Sequence, residues 1–245
     1  MYHLSVVFPC YNPPQLWQQH IIENIHTFLQ SHPDCTTELV IVNDGSPKSY
    51  EQNAKEMAQE LNIPVLYHGL TLNRGKGNAL RTGVALATGQ YIIMTDIDFP
   101  YTPDSFHAIY AALKEGADVA AGMRNESYTD NIPKFRAILS RLSRWLFVKV
   151  FSLRVSDTQA GLKGINQKAK PVFLSTTIDR YLFDLEFLCY ASARRDFVIA
   201  KVPIVLREGI TVSSMRLSIL LSELNNLFLL LFKIYIRRIV KGNAS

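Results

Sequence analysis

The chain has 245 residues, 48% of them hydrophobic and 19% charged, with a formal net charge of +5. That length suits one large α/β domain or two small ones, and the apolar share excludes a disordered chain. The basic excess favours an anionic partner such as a phosphate, a nucleotide or a membrane surface.

Residues 4–9, LSVVFP, predict a short buried strand that runs into the turn CYNPP. Leu16, Ile21, Ile22, Ile25, Phe28 and Leu29 recur at helical spacing. ELVIVNDGS predicts a second buried strand with a polar turn, 49–61 a helix, and PVLYHG a third strand. NRGKGNALRTGVALATG opens as a glycine-rich loop and continues as a helix. YIIMTDID predicts a fourth strand, 103–115 a helix and ADVAAGMR a fifth strand. Strands and helices alternating in this way through about residue 125 predict a mostly parallel sheet flanked by helices. Ligands of such sheets bind beyond the carboxyl ends of the strands. The polar residues fall there: Tyr11 and Asn12, Asp44 and Gly45, Asp96 and Asp98, and Arg124.

The second half is less regular. IPKFRAILSRLSRWLFVKVF predicts a basic amphipathic helix, SDTQAGLKG a polar loop, and YLFDLEFLCYASARR a helix carrying two acids in an apolar context. FVIAKVPIVLRE predicts one or two strands. The tail, 215–240, predicts a long apolar helix with a basic end, suited to a membrane surface or, alternatively, to packing on the catalytic domain or on a second copy of the chain. The expected division is a catalytic domain over 1–210 and a C-terminal helical segment over 211–245. The start, MYHLSVVFP, has no leader-like pattern, and no run reaches ~18 apolar residues, so a cytoplasmic protein is expected. Cysteines at 10, 35 and 189, without metal-type spacing, agree with reduced thiols.

Asp96 and Asp98 close a buried strand with two like charges. Unpaired, they would repel and one would hold its proton. A divalent cation removes that conflict, and carboxylates suit Mg²⁺ or Mn²⁺ completed by phosphate oxygens and water. In NRGKGNALRTG, Gly75 and Gly77 permit close backbone approach, the helix start offers amides to an anion, and Lys76 and Arg81 add charge. The alternative is that these glycines serve only tight packing. The spacing is not that of a Walker A loop. Asp44 at a strand end can accept hydrogen bonds from a base or ribose.

FPCYN, VNDGS, NRGKGNALRTG and TDID, in this order and spacing, resemble the inverting family 2 glycosyltransferases, which have a GT-A fold. AGMR, DTQAGLKG and FDLEFL narrow the resemblance to the dolichyl- and polyprenyl-phosphate sugar synthases, over about residues 4 to 210. The resemblance implies a nucleotide site of Pro9, Tyr11, Asn12, Asp44, Gly45, Lys76 and Asp96. It implies a Mg²⁺ or Mn²⁺ ion on Asp96 and Asp98, and catalytic roles for Asp98, Arg124 and Asp157. It places the acceptor phosphate near Arg124, Arg136, Thr158 and Gln159. Two positions depart from the family pattern: Pro13 stands where a nucleotide-side acid is usual, and Pro100 where a metal-side Gln is common.

The implied activity moves one sugar from a UDP- or GDP-sugar to a polyprenyl phosphate, at the cytoplasmic face of a membrane. The implied partners are that donor, that lipid, a peripheral membrane surface and a second copy of the chain, and not nucleic acid. The rival reading is the same machinery with a hydroxyl acceptor, and a weaker one is a non-catalytic nucleotide-binding module. A nucleotidyltransferase would usually carry a glycine-rich loop after the first strand, where this chain has CYNPP.

Overall fold

The computed structural model describes residues 2–124, 153–155, 157, 160–180, 182–207 and 232. The segment expected as a basic helix, the C-terminal tail apart from Phe232, Arg136, Thr158 and Gln159 lie outside the described residues. Among the described residues, no helix is long and apolar enough to cross a membrane.

The elements run β1 (Leu4–Cys10), α1 (Trp17–Ser31), β2 (Thr37–Asn43), α2 (Glu51–Leu61), β3 (Val65–Gly69), α3 (Lys76–Leu86), β4 (Tyr91–Met94), α4 (Pro103–Lys114) and β5 (Val119–Arg124). Then come β6 (Lys163–Asn166), α5 (Lys170–Leu174), α6 (Phe183–Ser192) and β7 (Ile199–Ile204). The strands form one seven-stranded sheet in the order β3-β2-β1-β4-β6-β5-β7. β1 pairs in parallel with β2 and β4, β2 with β3, and β5 with β7. β6 runs antiparallel between β4 and β5. The mostly parallel sheet is therefore as the alternation predicts.

Within SDTQAGLKG, the expected loop gives way to a strand at Lys163. The reason is non-local. β6 carries a lysine and a glycine at its start and gains its stability from two neighbours, Met94 lying opposite Lys163 and Val119 opposite Ile165.

The apolar residues of the strands face two cores, one on each side of the sheet. On one side Leu4, Val6, Phe8, Leu39, Ile41 and Ile93 pack under α1, α2 and α4. Phe28 of α1 is fully buried there, edge-on to Phe106 at 5.3 Å and Tyr110 at 5.1 Å. Burying one such ring is worth about 2 kcal/mol. On the other side Val7, Val40, Val42, Ile92 and Met94 pack under α3, α5 and α6.

The strand order reverses at β1: the chain winds outward through β2 and β3, then returns to β4 on the other side of β1. In open α/β sheets, this reversal leaves a crevice at the carboxyl ends of the strands. Cys10, Asn43 and Met94 end β1, β2 and β4 there.

Candidate active site

Four strands deliver polar side chains to this crevice. β1 ends in the half-buried Pro9 and buried Cys10, and is followed by the exposed Tyr11. Asn12 adopts a left-handed conformation (φ 44°) and donates its N–H to Ser46 Oγ at 3.0 Å. The end of β2 is tied to this turn, because the Asp44 amide donates to the Cys10 carbonyl at 2.7 Å. Gly45 has φ 72°, and a Cβ there would sit 2.4 Å from the Asn73 amide nitrogen. Any larger residue would force the loop before α3 away from the strand end.

Asp44 is buried, and both its oxygens are engaged. Oδ1 accepts from the Arg74 amide at 2.9 Å and Oδ2 from the Gly75 amide at 2.8 Å. Next along the chain, the amides of Gly77 and Asn78 both donate to the Asp179 carbonyl, at 2.7 and 3.2 Å. A Cβ at Gly75 would meet the Asp179 carbonyl oxygen at 2.5 Å, and one at Gly77 the Ile178 carbonyl oxygen at 2.5 Å. This corrects the expectation of an anion cradle: these four amides are satisfied by protein groups, and the two glycines permit tight packing against residues 178–179. Arg81 is likewise engaged. Its guanidinium donates to the Ile178 carbonyl at 2.7 Å and pairs with the Asp179 carboxylate. Lys76 is the cation of this loop that reaches the strand ends, pairing with Oδ1 of Asp96.

Asp96 and Asp98 follow β4 in a turn with a left-handed Phe99 (φ 46°), whose amide donates to the Asp96 carbonyl at 3.0 Å. The Asp98 carboxyl is raised above the usual range, first by burial and then by the charge of Asp96. Its own amide and the charges of Lys76 and Arg207 pull the other way. Asp96 Oδ2 lies against Gly161, where a Cβ would be 2.2 Å away. The Gly161 amide donates to the Tyr101 hydroxyl at 2.8 Å. Burial and the neighbouring Asp96 push that phenol up to about 12.

The pair suits a hard divalent cation by its chemistry: two oxygen donors, one of them destabilised by the other's charge. Among the described residues, no group of three or more His, Cys, Asp or Glu gathers as a metal site. Pro100, in the position where a metal-side Gln is common, is buried and accepts the Arg207 amide at its carbonyl, at 2.9 Å.

Arg124 closes β5 and is clamped by Asp157 through two parallel bonds, Nε to Oδ2 at 2.8 Å and Nη2 to Oδ1 at 2.9 Å. Such a fork fixes the plane of the guanidinium. Burial works to raise the Asp157 carboxyl, but Arg124 outweighs it and holds it below the ordinary range. The structure thus brings Asp44, Lys76, Asp96, Asp98, Arg124 and Asp157 to one end of the sheet.

Lys163 and Arg207 are not legible as such in the sequence, whereas the two acids of the apolar helix, Asp184 and Glu186, read there as anchors of the acceptor loop or as a base, with a positioning role preferred. Lys163 is buried, bonds the Ala160 carbonyl and pairs with Asp184 at 2.8 Å. Glu186 is fully buried. It accepts from the Thr177 and Ile178 amides at 2.7 and 2.8 Å, from the Thr177 hydroxyl at 3.0 Å and from the Tyr190 hydroxyl at 2.8 Å. It thereby shapes the turn that holds the glycine loop. Arg207 donates to the Asp98 carbonyl at 2.7 Å. For Lys163 and Arg207 the available signals were slight: a lysine inside the DTQAGLKG loop and an arginine just past the last strand.

A family model described as glycosyl transferase family 2 matches residues 5–169. The chain belongs to glycosyl transferase family 2. Among similar curated members of the family are the dolichyl-phosphate beta-glucosyltransferases of Drosophila melanogaster and Dictyostelium discoideum. The first is 31% identical over 208 residues, covering 77% of this chain and 62% of the relative. The second is 28% identical over 221 residues, covering 82% and 65%. The chain thus spans 62–65% of the length of these relatives. A solved structure of a mannosyltransferase from Pyrobaculum calidifontis, in complex with GDP-Man and Mn²⁺, covers 82% of this chain and 55% of its own, at 17% identity and a TM-score of 0.60. That likeness bears out the GT-A fold that the family motifs imply.

Proposed function

We propose that this family 2 member transfers one sugar, with inversion, from a UDP- or GDP-sugar to a polyprenyl phosphate, assisted by a divalent metal. The observation that carries the reading is the gathering of Asp96, Asp98, Lys76 and Arg124 at the crevice of a family 2 sheet. The names of the curated relatives support the lipid-phosphate acceptor.

The nucleotide lies over the ends of β1 and β2, against Pro9, Tyr11, Asn12 and Gly45. Asp44 acts there mainly by holding the Arg74–Gly75 backbone in place. Asp96 and Asp98 would hold a Mg²⁺ or Mn²⁺ ion, which would supply positive charge to the leaving diphosphate. Arg124, fixed in plane by Asp157, faces the phosphates, and Arg136, Thr158 and Gln159 belong to the acceptor side.

A hydroxyl acceptor needs a general base, whereas a lipid phosphate is already ionised near neutral pH. The acids on the acceptor side suit the second case. Asp157 is clamped by Arg124, Asp184 by Lys163, and Glu186 by four donors. A lipid acceptor also requires work at a membrane surface. The apolar, basic-ended sequence of 215–240 supports peripheral attachment at the cytoplasmic face, alone or as an oligomer.

The test is nucleoside diphosphate release from UDP- and GDP-sugars, with Mg²⁺ or Mn²⁺, with and without polyprenyl phosphate. Release that requires both lipid and metal, and that yields an acid-labile lipid-phospho-sugar, is expected. Turnover indifferent to the lipid would assign a hydroxyl acceptor, and nucleotide binding without any turnover would assign a binding module.

A further inference from the structure

Lys76 has a place in the site that charge-counting alone does not explain. Its ammonium pairs with Oδ1 of Asp96, one of the two carboxylates argued above to hold the metal. The other oxygen, Oδ2, lies against Gly161. A cation approaching this carboxylate therefore meets Lys76.

We propose that Lys76 is a placeholder cation, occupying Asp96 until a divalent ion replaces it, and that the diphosphate of the donor draws it off. The inference rests on the metal-assisted reading of the same site and adds how metal and nucleotide depend on each other. Three observations carry it. The Lys76 and Asp96 side chains are 26% and 32% exposed, so parting them strands no fully buried charge. The backbone around Lys76 is pinned on both sides, Gly75 by Asp44 and Gly77 by the Asp179 carbonyl, so the exchange is a swing of the side chain alone. The ammonium also feels the charge of a second acid, the buried Asp184.

The consequence is reciprocal coupling. A diphosphate gives Lys76 another anion and leaves Asp96 to the metal. A metal on Asp96 releases Lys76 to the diphosphate. Each ligand tightens the other by the same factor.

The experiment measures Mn²⁺ binding directly, by the paramagnetic resonance of unbound Mn²⁺, on wild type, Lys76→Met and Lys76→Gln. It is run in 0.1 M and 1 M NaCl, with and without UDP or GDP. Both variants should bind Mn²⁺ alone about fivefold tighter than wild type, as removal of a part-exposed ion pair allows. The gain should persist in 1 M NaCl, where long-range repulsion is screened beyond about 3 Å. The extra Mn²⁺ affinity that a nucleoside diphosphate confers should shrink by a similar factor in the variants. Unchanged or weaker Mn²⁺ binding in the variants, or a gain that vanishes at high salt, would overturn the placeholder role while metal-dependent sugar transfer stood. No Mn²⁺ binding by any form, with transfer that ignores metal, would overturn both.

Discussion

Two lysine–aspartate pairs lie within electrostatic reach of each other beneath the strand ends, and they differ in depth. Lys163 and Asp184 are 2% and 10% exposed, whereas Lys76 and Asp96 are 26% and 32% exposed. The deep pair has nowhere to send its charges, because a partner removed there leaves an ion without water. The shallow pair can trade partners with solvent, metal or phosphate at small cost. Depth, more than residue type, thus separates a pair that builds the site from one that can take part in its chemistry.

The sharpest way to break the comparison is Lys163→Met. It leaves Asp184 buried without its cation and should cost about 3–5 kcal/mol in urea unfolding. The Asp184 carboxyl is already raised, by burial acting against Lys163 and Lys76. A raised acid loses stability as pH rises, so the deficit of the variant should shrink from pH 7 toward pH 4 as Asp184 takes up a proton. Adding Asp184→Leu should recover most of the loss.

Asp98→Ala tests the shallow side. Donor turnover should fall on the order of 10²-fold while the unfolding midpoint holds, a split that circular dichroism and product release together would reveal. Gly161→Ala sharpens the contrast by moving only the floor under Asp96. Its Cβ would fall 2.2 Å from Oδ2, so about tenfold lower turnover is expected with little change in melting. The smallest effect concerns acid stability. The Asp157 carboxyl is depressed by Arg124 despite its burial. Its contribution is present above the unfolded value of about 3.9 and is lost as pH falls through the lower folded value. Melting curves between pH 5 and pH 2 should therefore slope less steeply in Asp157→Asn than in wild type.

The strands made of continuous apolar residues were legible in the sequence, because β1, β2, β4 and β5 are buried on both faces and their composition says so. β6 was not, since a lysine and a glycine at its start carry no strand signal, and the pairing that stabilises it lies about 70 residues back in β4. The acids at the strand ends were legible by position. What each acid touches was not. Asp44 reads as a base or ribose contact, yet it holds two backbone amides. The glycine loop reads as a phosphate cradle, yet a carbonyl about 100 residues downstream takes its amides. Local spacing shows which groups are available and says nothing of distant partners that claim them first. Arg207 illustrates the same limit from the other side: nothing near it in sequence announces that it bonds the Asp98 carbonyl.

The antiparallel β6 also dictates when the sheet can close. Among the described residues, β5 pairs with β6 and β7 alone, both of which are made later in the chain. A nascent chain that has reached residue 124 can therefore form at most a four-stranded sheet ending at β4, with the mostly apolar β5 still unattached. Until residue 166 emerges, β4 exposes a bare edge beside an unpaired apolar strand, the combination most prone to wrong pairing during synthesis. The carboxylates that follow β4 thus come to lie beside Gly161 only when the middle strand is inserted, so the site cannot be complete before that strand is made.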